Sequence, residues 1–177
     1  MNLPNMLLIG AIEKNSGKTG LSEKIIQQFS KQHQLYAVKA TVLRNFEGRK
    51  GFTIFEETNP DRQKDTGRLL TAGSRKVFWL KTDEEHAEQG IREVLQKIPE
   101  NAPVLCESNT IRKYITPGIF LMVQREYPVG SKKTASEVKK FVDRFITSKK
   151  VNSKIIYEPD ILKLLILSNN QWQLVDM

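Results

Sequence analysis

The sequence predicts a single α/β domain in which a mostly parallel sheet lies between two layers of helices. Short, nearly continuous apolar segments alternate with amphipathic segments, which is the pattern of strands buried on both faces and of the helices that cover them. The chain has 177 residues, of which 39% are hydrophobic and 27% are charged. This length and composition are typical of one globular domain, so we predict that residues 1–177 form a single unit.

The individual elements follow from hydrophobic periodicity and from start and stop signals. The predicted strands are Met6–Ile12, Leu35–Ala40, Phe52–Phe55, Lys76–Leu80, Pro103–Cys106 and Gly118–Val123. The predicted helices are Thr19–Lys31, Asp61–Ala72 (closed by Gly73), Thr82–Ile98 and Thr134–Ile146, the last two opened by Thr-x-x-Glu capping boxes. The remaining apolar runs, Ile161–Leu167 and Gln171–Val175, predict a C-terminal β-hairpin.

The most informative segment is Lys14-Asn15-Ser16-Gly17-Lys18-Thr19, which lies between the first strand and the first helix. A small-residue loop ending in Gly-Lys-Thr in this context indicates a phosphate-binding P-loop. Backbone N–H groups of the loop and of the helix start would bind phosphate, while Lys18 would bind the β- and γ-phosphates and Thr19 would bind Mg²⁺. The full pattern requires a glycine five residues before Gly17, and this chain has Ile12 there.

A second candidate site element is the apolar segment Val104-Leu105-Cys106, which ends in Glu107. P-loop proteins need a carboxylate near the metal, so Glu107 is predicted to hold Mg²⁺ together with Thr19. Cys106 is predicted to lie in the core and not to act as a nucleophile. An Asn-Lys-x-Asp guanine-specificity motif is missing from the sequence, and Arg44, Arg62 and Arg112 have no assigned role.

The positive charge of the chain is unevenly distributed. The net charge is +8, and residues 125–154 contain nine Lys/Arg and three Asp/Glu, a net +6. This basic segment predicts either a solvated helix face or contact with a polyanion, such as a phosphorylated cofactor or an acidic partner. Few aromatic residues accompany the lysines, so nucleic acid is a less favoured partner.

The location of the protein is predicted from its cysteine content and its N-terminus. A single cysteine suits a reducing compartment, and the first apolar run is not preceded by basic residues as in a signal peptide. The apolar runs are also too short to span a bilayer. We therefore predict a cytoplasmic protein that does not associate with membranes.

Several segments together resemble the molybdopterin-guanine dinucleotide biosynthesis protein B (MobB) family of small P-loop GTP-binding proteins. The resemblance covers about residues 6–123. It is carried by the loop Lys14–Thr19, Val38-Lys39, Lys64-Asp65-Thr66 followed by Ala72-Gly73-Ser74, the strand Val77–Leu80, and Glu107. The chain departs from the family pattern at Ile12, Gly20, Ala40 and Ser108-Asn109.

The resemblance implies a three-layer P-loop NTPase fold that binds GTP and Mg²⁺ and acts in molybdenum cofactor biosynthesis or a related metal-cofactor pathway. It implies that Gly20 belongs to the nucleotide-binding loop and that Lys39 and Asp65 face the nucleotide or the cofactor. The expected partners are a phosphorylated pterin cofactor, a cofactor-biosynthesis enzyme and a second copy of the chain. The two copies would pair through an exposed strand of the C-terminal hairpin. Hydrolysis is expected to be slow or absent, because no catalytic base is evident in the sequence.

Two other functions remain open at this point. An ATP-dependent small-molecule kinase, or a synthetase of the dethiobiotin synthetase type, would share the loop and the parallel sheet. A non-enzymatic binding module would use the basic segment 125–154 to contact a partner or nucleic acid.

Overall fold

The domain is built on an eight-stranded mixed sheet with helices on both faces. A computed structural model of the chain describes residues 1–43 and 51–175, so Arg44 lies outside the described residues. In chain order the strands are β1 (Asn2–Ala11), β2 (Tyr36–Val42), β3 (Phe52–Glu57), β4 (Lys76–Thr82), β5 (Val104–Glu107), β6 (Thr116–Arg125), β7 (Arg144–Val151), β8 (Lys154–Glu158), β9 (Leu165–Ser168) and β10 (Gln171–Leu174). The helices are α1 (Lys18–Phe29), α2 (Asp65–Thr71), α3 (Ala87–Leu95) and α4 (Lys133–Val138), with 3₁₀ turns at Thr110–Lys113, Lys139–Phe141 and Ile161–Lys163.

The strand order of the sheet is β3-β4-β2-β5-β1-β6-β7-β8. The six central strands are parallel, and each edge strand is antiparallel to its neighbour. Strands β9 and β10 form a separate antiparallel hairpin whose turn residues, Asn169 and Asn170, have positive φ angles. The predictions of an α/β fold, a mostly parallel sheet and a C-terminal hairpin are therefore confirmed.

Each face of the sheet buries its own hydrophobic cluster. On one face, apolar side chains of α3 and α4 pack against the even-numbered residues of β1, including Met6 and Leu8. On the other face, α1, α2 and the β9–β10 hairpin pack against the odd-numbered residues, including Leu7 and Ile9. Because β1 alternates between two cores, it is apolar along its whole second half, as expected for a central parallel strand.

The predicted helix Thr134–Ile146 is wrong in its second half. Helix α4 ends at Val138, and residues 144–146 belong to β7, which pairs in parallel with β6. The chain becomes extended at Asp143, whose carboxylate accepts a hydrogen bond from Phe120 N at 2.7 Å while its own N–H donates to Phe120 O at 3.0 Å. These contacts with a distant strand override the local helix signal.

The two predicted capping boxes are also wrong. Thr82 is the last residue of β4, and its hydroxyl donates to Gly51 O at 3.1 Å. Helix α3 begins at Ala87. The carboxylate of Asp83 accepts a hydrogen bond from His86 N at 2.8 Å, just before the helix. Helix α4 begins at Lys133 without a side-chain cap, so Thr134 lies inside it.

The hairpin is packed against the domain and is not the exposed tail that the sequence suggested. Leu165, Leu167 and Trp172 are buried, and the Trp172 ring meets Phe29 of α1 edge-on with ring centroids 5.1 Å apart. Ile166, on the opposite side of β9, remains 43% exposed. Among the described residues, none of the helices is both long and apolar enough to cross a membrane.

Candidate functional site

A cavity of about 470 Å³ lies at the carboxyl end of β1, where ligands bind in open parallel sheets. It borders the loop of residues 12–17, which we call the β1–α1 loop. Every residue predicted to bind nucleotide lines this cavity, namely Lys14, Asn15, Ser16, Gly17, Lys18, Thr19, Gly20, Lys39 and Asp65. A larger cavity of about 650 Å³ lies around the amino end of β1, away from these residues, and Arg92 is the only Lys or Arg among its described lining residues.

Charge favours anions in the smaller cavity. Five cationic side chains line it (Lys14, Lys18, Lys39, Arg68 and Lys132), against two acidic ones (Glu13 and Asp65). A concave site lined by one excess sign of charge raises the local concentration of oppositely charged ligands. The arrangement therefore suits a ligand with several negative charges.

The backbone of the β1–α1 loop leaves several N–H groups unbonded. Asn15 and Gly17 have φ angles of +56° and +87°, and alternation of this kind turns successive N–H groups toward one side. The first bond of α1 runs from Leu21 N to Gly17 O at 3.0 Å. Within the described residues, the N–H groups of Ser16 to Gly20 donate to no protein acceptor. They are the donors that a phosphate would need.

Two side chains from later in the chain hold the carbonyl groups of this loop. The guanidinium of Arg125 donates to Asn15 O at 3.1 Å, and the hydroxyl of Tyr157 donates to Gly17 O at 2.7 Å. Because a trans peptide directs its C=O and the following N–H in opposite directions, these bonds orient the N–H groups of Ser16 and Lys18 away from the two donors. Burial raises the pKa of Tyr157 to about 12, so its hydroxyl remains a donor at neutral pH.

Ile12 occupies the position where the loop pattern has a glycine. Its side chain is 8% exposed and packs into the core with Met6 and Leu8. Its N–H donates to Val123 O at 2.9 Å, and its carbonyl accepts from Lys132 N at 2.8 Å. This first part of the loop is therefore held by β6 and by the start of α4, and it does not need a glycine turn.

Glu107 lies behind Lys18 and does not itself line the cavity. The sheet register places it between Ile9 and Lys39, and it is 1% exposed. Its carboxylate forms an ion pair with Lys18 and accepts hydrogen bonds from Ser22 Oγ at 2.7 Å and Thr19 Oγ1 at 3.3 Å. The buried charge is thus compensated by one cation and two hydroxyl groups.

Thr19 and Glu107, the two predicted ligands of Mg²⁺, lie next to each other. Both carry hard oxygen atoms, and Thr19 Oγ1 lies 3.3 Å from the Glu107 carboxylate. In the described part of the chain, no three His, Cys, Asp or Glu side chains are grouped to hold a metal ion. The assignment of Mg²⁺ to this pair stays a prediction.

Lys39 and Asp65 meet at the side of the cavity that faces β2. Their side chains form an ion pair. Burial alone would raise the pKa of Asp65, but the hydrogen bond and charge of Lys39 outweigh it and lower the pKa, with smaller contributions from Lys18 and Arg68. Asp65 is therefore a carboxylate at neutral pH. Arg68, one helical turn later, is held by two hydrogen bonds to Glu23.

Several residues of the site were not predicted from the sequence, namely Glu13, Arg68, Arg125, Lys132, Ile155 and Tyr157. Arg125 and Lys132 belong to the basic segment, and Ile155 and Tyr157 directly follow it. The segment folds into α4, β7 and β8, and Asn152-Ser153, both with positive φ, form the tight turn between the two strands. An Asn-Ser pair between two β-branched runs was the available signal for this hairpin.

Lys132 is the most unusual of these residues in its electrostatics. Burial, followed by the neighbouring charges of Lys18 and Lys14, lowers the pKa of Lys132. Three cations at one cavity destabilise one another until an anion binds between them. Cys106, by contrast, is fully buried, and burial raises the pKa of its thiol to about 12, which leaves it protonated and inert.

In comparisons with known proteins, no family model, no curated protein and no solved structure matches this chain.

Proposed function

We propose that this chain is a P-loop protein that binds a purine nucleoside triphosphate with Mg²⁺ at the cavity beside the β1–α1 loop. The observation that carries the proposal is the row of unbonded N–H groups from Ser16 to Gly20, flanked by Lys18 and oriented by Arg125 and Tyr157. Such a preorganised row of donors next to cationic side chains suits a polyphosphate.

The roles of the residues follow from their positions. The N–H groups and Lys14 would bind phosphate oxygens, and Lys18 would exchange its contact with Glu107 for the β- and γ-phosphates. Thr19 and Glu107 would hold Mg²⁺, whose charge would neutralise part of the phosphate charge. Lys39 and Lys132 would contact the phosphates from opposite sides of the cavity.

GTP is the first expectation for the base, because of the resemblance to the MobB family. On the same ground we propose a part in molybdenum cofactor biosynthesis or a related metal-cofactor pathway, with a phosphorylated pterin, a biosynthetic enzyme and a second copy of the chain as partners. Hydrolysis is expected to be slow, as the sequence predicts. Of the carboxylates near the cavity in the described residues, Glu107 would hold Mg²⁺ and Asp65 is paired with Lys39. Glu13 accepts a hydrogen bond from Arg125 N at 2.8 Å.

Calorimetric titration with GTP and with ATP, each with and without Mg²⁺, tests the proposal. Lys18→Met keeps the length of the side chain and removes its charge, so we expect affinity to fall at least about tenfold, since charge-assisted hydrogen bonds contribute about 1.5–3 kcal/mol. Lys31→Met, at an exposed lysine beyond α1, is the matched control and should bind normally. Thr19→Val should weaken binding only when Mg²⁺ is present.

The outcomes separate the candidate functions. Binding of GTP alone, lost in Lys18→Met, supports the guanine-nucleotide protein. Preference for ATP, with turnover accelerated by a co-substrate, supports the kinase or dethiobiotin-synthetase-type alternative, which the free space beside Asp65 and Lys39 also allows. Binding of neither nucleotide would contradict the proposal.

A further inference from the structure

A half-exposed aromatic surface lies on the sheet next to the proposed phosphate site. We call it the Trp79 surface, and it consists of Lys39 and Thr41 on β2, Trp79 and Lys81 on β4, and Phe55 on β3. The sheet register sets Trp79 between Lys39 and Phe55, on the face that α1 and α2 cover elsewhere. Helix α2 has only seven residues and packs near Val77, so the second half of β4 projects beyond it.

The aromatic rings of this surface are fixed and accessible. Trp79 Nε1 donates to Thr41 Oγ1 at 3.0 Å, which sets the orientation of the indole. Phe55 is 48% exposed, and its ring centroid lies 6.3 Å from that of Trp79. Aromatic rings contribute more to stability when they are buried, so a half-exposed Phe55 next to a partly exposed Trp79 beside a cavity indicates a contact surface for another molecule.

The charges of the Trp79 surface are positive. Lys81 Nζ lies 3.9 Å from the centroid of the Trp79 ring and 5.3 Å from that of Phe55, and Lys81 makes no ion pair with the residues that the structure describes. Lys39 Nζ lies 5.8 Å from the Trp79 ring and also lines the phosphate cavity. A ligand that stacks on these rings would therefore meet the ammonium group of Lys81 at one edge and the phosphate cavity at the other.

We propose that the Trp79 surface binds a second small ligand, whose planar heteroaromatic ring stacks on Phe55 and Trp79 and whose anionic group pairs with Lys81. Offset stacking of a heteroaromatic ring on Phe55 or Trp79 is a favourable arrangement of aromatic groups. The ammonium group of Lys81, which lies over the Trp79 ring, would move to the anionic group of the ligand. Because Lys39 is shared with the cavity, the second ligand would lie beside a bound triphosphate. Its binding does not depend on the triphosphate.

Tryptophan fluorescence tests this proposal, with AMP and GMP as probes and with adenosine and ribose 5-phosphate as half-probes. The chain has two tryptophans, and Trp172 is 3% exposed, so a ligand on the surface should change the emission of Trp79. We expect saturable quenching by AMP or GMP, and weaker quenching by either half-probe. Trp79→Phe should abolish the response and leave the emission of Trp172.

Variants assign the response to the surface. Phe55→Ala and Lys81→Gln should each weaken binding of the probe by about tenfold, as is typical when a stacking or charged partner of a base is removed. Lys76→Gln, on the same strand but paired with Glu56, is the matched control and should bind normally. Lys18→Met should also bind the probe normally, because Lys18 lies at the phosphate cavity and not on the Trp79 surface.

Three results would overturn the proposal. They are a lack of saturable quenching by both AMP and GMP, equal binding of ribose 5-phosphate, and loss of the response in Lys18→Met, which would locate the probe in the phosphate cavity. The proposed triphosphate site fails by a different result, namely the absence of GTP and ATP binding in calorimetry. A failure of one proposal is therefore distinguishable from a failure of the other.

Discussion

Removal of the Lys18 charge should destabilise the protein even without any ligand. Glu107 has a fully buried side chain, whereas that of Lys18 is 21% exposed, and the two form an ion pair. Breaking a buried ion pair by removing one partner costs about 3–5 kcal/mol. The cost for Lys18 should fall below this range, because Ser22 and Thr19 still donate to Glu107 after the substitution and the Lys18 side of the pair is partly open to water.

The expected net cost of Lys18→Met is therefore about 2 kcal/mol, which for a chain of this length lowers Tm by about 4–8 °C. Lys18→Met combined with Glu107→Gln removes both charges, so we expect the double variant to be more stable than Lys18→Met alone. Urea unfolding of the native chain, both single variants and the double variant measures the coupling between the two residues. Lys31→Met should change the unfolding free energy very little.

A result in which Lys18→Met unfolds within about 0.5 kcal/mol of the native protein, and Glu107→Gln brings no recovery, would refute this reasoning. It would mean that water reaches Glu107 freely once the ammonium is gone. The surroundings of the Glu107 carboxylate would then be hydrated, and the ion pair would be a weak surface contact.

Three further predictions concern the residues around the loop. Burial and the charges of Lys18 and Lys14 lower the pKa of Lys132, so the charged form of Lys132 is disfavoured in the folded state. The free energy of unfolding should therefore rise as the pH increases toward 10.5, the pKa of Lys132 in the unfolded chain. In urea unfolding, Lys132→Met should be more stable than the native chain at neutral pH and should lack this rise, and it should bind triphosphate more weakly. A less stable Lys132→Met would contradict this. Tyr157→Phe loses the 2.7 Å bond to Gly17 O and should cost about 1 kcal/mol. Since burial raises the pKa of Tyr157 from 10.0 to about 12, the native chain should lose stability between these pH values, and thermal unfolding of Tyr157→Phe should show a smaller loss. Gly20→Ala would bring its Cβ to 2.6 Å from the Tyr157 hydroxyl oxygen and should lower the free energy of unfolding by about 1–3 kcal/mol. In the Tyr157→Phe background, the same substitution should be neutral or stabilising. Equal costs in both backgrounds would refute the contact.

The sequence predicted the parts of the fold that depend on local pattern. The strands β1 and β5 are apolar where both of their faces are buried, and Lys14–Thr19 was predicted to lie between the first strand and the first helix, where the structure has the β1–α1 loop and the start of α1. The two Asn residues at the β9–β10 turn were a similarly local signal.

The parts that were wrong or missed depend on distant contacts. Helix Thr134–Ile146 had a capping signal, but Asp143 pairs with the backbone of Phe120, and the chain leaves the helix there. Nothing local to Lys132 or Tyr157 marks them as site residues. The pairing of β6 with β1 brings Lys132 to the loop, and the pairing of β7 with β6 and of β8 with β7 brings Tyr157 there. Local propensity carries no record of such long-range pairing.

Because the chain is synthesised from its N-terminus, the β1–α1 loop is made before the residues that hold it. Gly17 leaves the ribosome early, whereas the tyrosine that bonds its carbonyl follows 140 residues later, and both strands that flank β1 begin beyond residue 103. At about 5–20 residues per second, the Gly-Lys-Thr segment waits roughly 7–28 s for that tyrosine. During this interval a nascent chain displays the motif but lacks the support that aims its amide groups. Competence for anions should therefore appear late and abruptly in translation, when the hairpin of β7 and β8 closes onto a strand made long before.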